Sequence, residues 1–182
     1  MSDKLISDEI VAAYKDRLDK MNKYKFTEEG DELYLTKMVA ETEQIENLRV
    51  RTKIGDFSIE CDAPKELGGS GTIPTAMNQL LASFNHCLQI SALLYFSFAD
   101  VKIRSLKVKV EATYDKRAVL NLRQAPLPGF YDYKIMWFID SDEKLKKIRQ
   151  ILKKVEKNCP VRGSLVRPKN FSEVLIINDK KV

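Results

Sequence analysis

The segment from Pro74 to Phe98, PTAMNQLLASFNHCLQISALLYFSF, holds no Asp, Glu, Lys or Arg, and no other stretch constrains the chain as much. A helix that is apolar almost all round is normally buried by its own protein. A run of about 20 apolar residues is also enough to cross a bilayer. Here Asn78, Gln79, Ser83, Asn85, His86 and Gln89 each carry polar atoms that would need a partner in lipid. The segment therefore predicts the central helix of a water-soluble core, with no membrane contact. Cys87 lies near its middle. Its helical neighbours three, four and seven residues away are Leu80, Ser83, Phe84, Ile90, Ser91 and Leu94, a mostly apolar surface softened by two hydroxyls. A buried cysteine alone is usually a small hydrophobe, so its chemistry depends on whether a second thiol is built to meet it.

The rest of the composition narrows the classes. At 182 residues the chain is one domain with an appendage, and 44% apolar against 31% charged residues is a globular balance. The net charge of +5 is spread along the chain rather than gathered into a basic stripe with interleaved aromatics, which argues against a nucleic-acid partner. A charged segment, not an apolar one, follows Met1–Asp3, so no secretory leader is read and the expected location is cytoplasmic. Three cysteines do not make a disulfide scaffold, and in a reducing compartment a thiol pair is redox-active rather than structural. The single histidine, His86, excludes a His-rich metal site. It points about 100° away from Cys87 on the same helix, as a hydrogen-bonded helix histidine. Neither GxxxxGK[ST] nor GxGxxG is present, so Gly68–Gly71 is a close-approach connector, and no cofactor or metal is expected.

In chain order, Ile6, Ile10, Tyr14, Leu18 and Met21 line one face of an amphipathic helix over 5–24. Glu28–Asp31 reads as a turn, giving an N-terminal helix and linker over 1–30 and one α+β domain over 31–182. Residues 33–35, 48–52 and 57–61 read as a three-stranded meander, with Gly55-Asp56 as the tight turn. Cys61 falls in its last strand with no chemical role assigned. Leu106, Val108, Val110, Ala112 and Tyr114 alternate with charged and polar residues, as in a half-buried antiparallel strand. Tyr131–Ile139 is apolar on both faces and reads as a central strand. Ser141 is placed to cap a helix whose apolar stripe runs Leu145, Ile148, Leu152 and Val155, with its lysines on a solvated face. Four residues on, the stripe reaches Cys159, turned inward at the helix end, and Pro160 stops the helix. Residues 172–178 close the chain as a strand.

Leu80-Leu81-Ala82-Ser83-Phe84-Asn85-His86-Cys87, the strand with Val110-Glu111-Ala112-Thr113-Tyr114-Asp115, and Asn158-Cys159-Pro160-Val161 follow one another in an order that resembles the OsmC/Ohr superfamily. Asp62-Ala63-Pro64 with Gly68-Gly69 is similar to a loop of one of its branches. The resemblance spans roughly residues 48–177. It implies an intertwined homodimer, with antiparallel sheets wrapped around central cysteine-bearing helices. It also implies a thiol peroxidase: Cys87 matches the cysteine that attacks an organic hydroperoxide, and Cys159 the one that resolves the product as a disulfide, which an external dithiol then reduces. Peroxidase members have a glutamate nine or ten residues before the first cysteine, paired to an arginine. Here those positions are Asn78 and Met77, and Arg49 or Arg51 are the arginines left to reach the site. That departure keeps an alternative open, an OsmC-like binding module for an apolar or acyl small molecule with inert cysteines. A third reading is an interaction protein using the basic helix over 142–157.

Overall fold

A computed structural model describes residues 5–24, 26–120, 124–178 and 180–181. The Pro74–Phe98 segment becomes the helix α3, Ala76–Phe98, counting α1 (Asp8–Tyr24) and α2 (Glu28–Tyr34) before it. Its start is closed by a reciprocal cap: the Thr75 hydroxyl accepts from the Asn78 N–H, and Asn78 Oδ1 accepts from the Thr75 N–H. Phe84, Leu88, Ala92 and Phe96, spaced every four residues, form its fully buried stripe. The opposite side stays open, with Leu80 39% and Ile90 58% exposed, so a single chain buries only part of this apolar helix. Two of its amides anchor it to flanking strands. Gln79 Nε2 donates to the Glu60 carbonyl at 2.6 Å, and Gln89 Nε2 to the Leu106 carbonyl at 2.8 Å.

The buried stripe faces two partners. One is the antiparallel pair β4 (Ser105–Tyr114) and β5 (Phe130–Asp140), registered Val108 opposite Trp137 and Val110 opposite Ile135. Val108 and Val110 point inward, and Lys107, Lys109 and Glu111 point to solvent, as the alternation predicts. β5 is not central within the chain. Among the described residues it pairs with β4 alone, and Tyr131 and Phe138 lie open on it. The second partner is α4 (Leu145–Asn158), which buries Ile151 and Val155, while Leu145 at the head of the expected stripe is 60% exposed. The N-cap is Lys144, not Ser141, and the Ser141 hydroxyl is engaged elsewhere: it donates to the Lys102 carbonyl and accepts from the Glu143 N–H. Pro160 ends α4 but also opens α5 (Pro160–Val166), where its missing N–H costs nothing at the first helical position. One residue, Cys159, separates the two helices.

Other expectations change in the N-terminal third. Residues 28–31, read as a turn, are the first turn of α2, capped by Thr27 accepting from the Gly30 N–H, and of the strand read at 33–35, Leu33 and Tyr34 are helical while Leu35 is the extended residue that ends the helix. α1 crosses the end of α3, with the Tyr14 and Phe98 rings 5.5 Å apart. The meander exists, but its first strand is β1 (Glu41–Glu46), followed by β2 (Arg49–Ile54) and β3 (Phe57–Cys61). Asn47 and Gly55, both at positive φ, make its turns. This sheet leaves Leu48, Phe57 and Ile59 exposed. At the other end of the chain the expected strand shrinks to a two-residue ladder, β6 (Ile176–Ile177) with β7 (Lys180–Lys181).

Candidate active site: two thiols at a helix corner

Cys87 lies midway along α3 at the border between its buried stripe and its open side, and is half-buried. Cys159 occupies the corner between α4 and α5 and is 2% exposed. The two sulfurs are 3.0 Å apart, although 72 residues separate them in the chain, and the Cys159 thiol donates toward the Cys87 sulfur. A disulfide needs about 2.05 Å between sulfurs, so a shift on the order of 1 Å would join them.

The corner explains the placement. Val155 is wholly buried, and four residues later the same face of α4 delivers Cys159 to the core. Because α5 restarts at once, the Cys159 carbonyl accepts from the Gly163 N–H and its sulfur from the Arg162 N–H at 3.4 Å. Burial, and then the contact with Cys87, push the Cys159 thiol up to about 11. Cys159 is therefore neutral at physiological pH and presents a proton to its neighbour.

The other candidate residues sit elsewhere. Cys61 ends β3, its thiol pointing weakly at the Asp62 carbonyl at 3.8 Å, and lines a cleft of about 610 Å³ with Leu48, Leu67, Met77, Tyr114 and Lys116. Arg49 and Arg51 do not turn to Cys87. Each places its Nε and Nη2 on one oxygen of Glu60, so a single carboxylate lies between two guanidiniums, which hold it below the usual range. Asn78 is spent on the α3 cap and Met77 on the cleft. His86 is exposed and, contrary to expectation, its imidazole makes no hydrogen bond among the described residues. There, too, the only polar partner of Cys87 is Cys159.

The loop that leads into α3 is tied down by hydrogen bonds to Asp62. Asp62, the one buried charged residue described, accepts from the Ala63 N–H at 2.8 Å and the Ser70 N–H at 2.7 Å, and these bonds hold its carboxyl low. Gly69 passes so close to Ala63 that a Cβ there would stand 1.7 Å from the Ala63 carbonyl oxygen. Composition could not have revealed two further residues. Asn158 and Tyr95 join the end of α4 to α3 through one hydrogen bond of 2.8 Å. Neither residue carries a pattern that announces it.

Among the described residues, no cluster of His, Cys, Asp and Glu could hold a metal ion, and no helix is long and apolar enough to cross a membrane. A sequence comparison with curated proteins gives no match. Solved structures do resemble the fold. An OsmC-like protein from Mycoplasma pneumoniae superposes with a TM-score of 0.59 at 19% identity, covering 71% of this chain and 87% of that one. An organic hydroperoxide resistance protein from Elizabethkingia anophelis gives 0.55 at 16% identity, covering 72% and 89%. A further organic hydroperoxide resistance protein, from Legionella pneumophila, gives 0.51 at 14% identity, covering 72% and 90%. The family described as OsmC-like protein matches residues 69–173, a span that takes in both α3 and the α4–α5 corner. The chain belongs to the OsmC-like family.

Proposed function

We propose that this protein is a thiol peroxidase that reduces organic hydroperoxides, with Cys87 as the attacking and Cys159 as the resolving cysteine. The observation that carries the proposal is the sulfur pair itself: 3.0 Å apart, one thiol half-open and one sealed. The Cys87 thiolate attacks the distal oxygen of the hydroperoxide and the O–O bond breaks. The alkoxide leaves with a proton as alcohol, and Cys87 becomes a sulfenic acid. The Cys159 sulfur then displaces the sulfenic oxygen as water and forms the disulfide. An external dithiol returns both thiols by exchange and is itself oxidised. Leu80, Ile90 and Leu94 on the same side of α3 make an apolar approach to Cys87, which suits an organic peroxide better than hydrogen peroxide. The neighbours that are organic hydroperoxide resistance proteins support the same substrate class. The reaction belongs in the cytoplasm, where dithiol reductants are found.

The working unit is a homodimer. Leu80 and Ile90 on α3, and Phe57 and Ile59 on the β1–β3 sheet, are apolar surfaces that a second copy would cover. The decisive experiment is consumption of an organic hydroperoxide by the purified protein with dithiothreitol, for wild type and Cys87→Ser. Turnover lost in the variant supports the assignment, and equal rates would sink it.

One observation favours a second reading. The cleft of about 610 Å³ beside Cys61 and Met77 is of a size that holds a small apolar or acyl ligand, and among the described residues no charged side chain bonds to Cys87. In that reading the protein is a binding module and both thiols are inert. A small molecule retained in native mass spectrometry, with thiols that ignore hydroperoxide, would favour it.

A further inference from the structure

Cys159 is held from two sides. The Arg162 and Gly163 N–H groups reach it from three and four residues along the chain, so they travel with the corner wherever it goes. The bond from Asn158 Nδ2 to the Tyr95 hydroxyl is different: it spans 63 residues and ends on the helix that carries Cys87. Besides the sulfur contact itself, it is the one side-chain hydrogen bond from α3 to this corner among the described residues.

Burial does not demand this bond. Asn158 is exposed, and water would satisfy its amide equally well. The apolar packing between the helices, Leu88 and Ala92 on α3 with Ile151 and Val155 on α4, is non-directional and leaves sliding along the axis weakly opposed. A directional bond one residue from Cys159 does oppose it. Tyr95 lies two turns beyond Cys87, and helical side chains lean toward the N-terminus, so its hydroxyl hangs back toward the thiol pair. Its ring is steadied edge-on by Phe98, centroids 6.5 Å apart.

We infer that Tyr95 and Asn158 are positioning residues, a latch between α3 and the end of α4 that keeps the Cys159 sulfur in bonding range of the oxidised Cys87; the inference rests on the peroxidase reading above. The Cys87 sulfenic acid has two fates. With the Cys159 thiol it forms a disulfide and water. With a second hydroperoxide it forms a sulfinic acid and an alcohol, and the second route is irreversible in ordinary conditions. The first route is intramolecular and depends on alignment. The second does not, so the latch sets their ratio.

The test compares wild type, Tyr95→Phe and Asn158→Asp. The aspartate still bonds Tyr95, now as acceptor of its hydroxyl proton. Intact-protein mass spectrometry after stepwise addition of cumene hydroperoxide reads disulfide against sulfinic acid. In Tyr95→Phe the ratio should fall on the order of 5-fold, the weight of one ordinary hydrogen bond, with the rate of first oxidation unchanged. Asn158→Asp should keep the wild-type ratio. Diamide, which closes the pair without any hydroperoxide, makes the latch testable apart from the function. Slower closure in Tyr95→Phe than in wild type supports the inference, and equal closure rates at unchanged thermal stability overturn it. A wild type that closes with diamide but ignores hydroperoxide defeats the peroxidase reading alone. Should Tyr95→Phe fold poorly, Asn158→Ala repeats the comparison from the other side of the bond.

Discussion

The Cys159 sulfur touches the Cys87 sulfur at 3.0 Å yet is shut off from solvent, while Cys87 keeps an open side. The two thiols are therefore unequal toward any reagent that arrives from water. Iodoacetamide at neutral pH should label Cys87 well before Cys159, because the buried thiol is both inaccessible and protonated. Peptide mapping at short times checks the order. In Cys159→Ser, one equivalent of hydroperoxide should leave Cys87 as a sulfenic acid trappable by dimedone, and excess should drive it to sulfinic acid. Preferential labelling of Cys159 would contradict the inequality.

The same burial makes stability depend on alkali. Cys159 sits at about 11 in the fold against an ordinary 9.0. The unfolded chain thus loses this proton first, and the native state binds it more tightly. The contribution is whole below pH 9 and fades as pH rises toward 11. Wild type should lose more stability than Cys159→Ser across that window, measured by urea denaturation at each pH. Parallel curves for the two proteins would show that Cys159 titrates as an ordinary thiol.

How far the sequence speaks depends on whether a residue announces its own surroundings. The uncharged run of α3 and the alternation of β4 did, because each period maps directly onto one face of an element. The inward turn of Cys159 followed from the α4 stripe, since Val155 and Cys159 share a face. β1 was invisible: Glu41-Thr42-Glu43-Gln44-Ile45-Glu46 has one strongly apolar residue, and its pairing with β2 lends it strand form. Leu33-Tyr34-Leu35 taken alone has the composition of a strand, but the Thr27 cap starts a helix at Glu28 that runs through Tyr34. The pairing of Tyr95 with Asn158 was beyond reach, since only the crossing of α3 and α4 brings an unremarkable tyrosine to an unremarkable asparagine.

Leu88 carries the junction of α3 with both of its partners. It is 0% exposed at the centre of a close-packed apolar cluster. Leu88→Ala should cost about 2–5 kcal/mol. It should also loosen the thiol pair, since Leu88 adjoins Cys87 in the chain. Chemical denaturation gives the first effect and diamide closure the second. A loss below about 1 kcal/mol would mean that the core collapses around the gap more readily than a close-packed interior does.

Gly69 is constrained by a neighbour rather than by its own torsions. A Cβ there would overlap the Ala63 carbonyl at 1.7 Å, and that carbonyl is backbone, with no rotamer to yield. Gly69→Ala should therefore displace the loop that Asp62 holds through the Ser70 N–H, and with it the entry to α3. Gly55→Ala is the contrast. It has open space around it but a φ of +56°, so it should cost roughly 1 kcal/mol from the turn alone. Thermal melts of the two variants should rank Gly69→Ala as the more damaging. The reverse order would mean that the loop moves aside freely.

The exposed side of α3 bears on assembly. Ile90, 58% exposed, and Leu80, 39% exposed, flank Cys87 three and seven residues away on a helix otherwise made for burial. If a second copy covers them, a charge placed there is buried without a partner on association, a strong penalty, while the isolated chain scarcely notices it. Ile90→Asp should then convert a dimer to monomer at micromolar concentration in sedimentation. Wild-type melting should also rise with protein concentration, as it must when folding and association are linked. Leu88→Ala should instead weaken the fold at every concentration. A wild type that sediments as a folded monomer, with a melting temperature independent of concentration, would show that α3 keeps this apolar side in water.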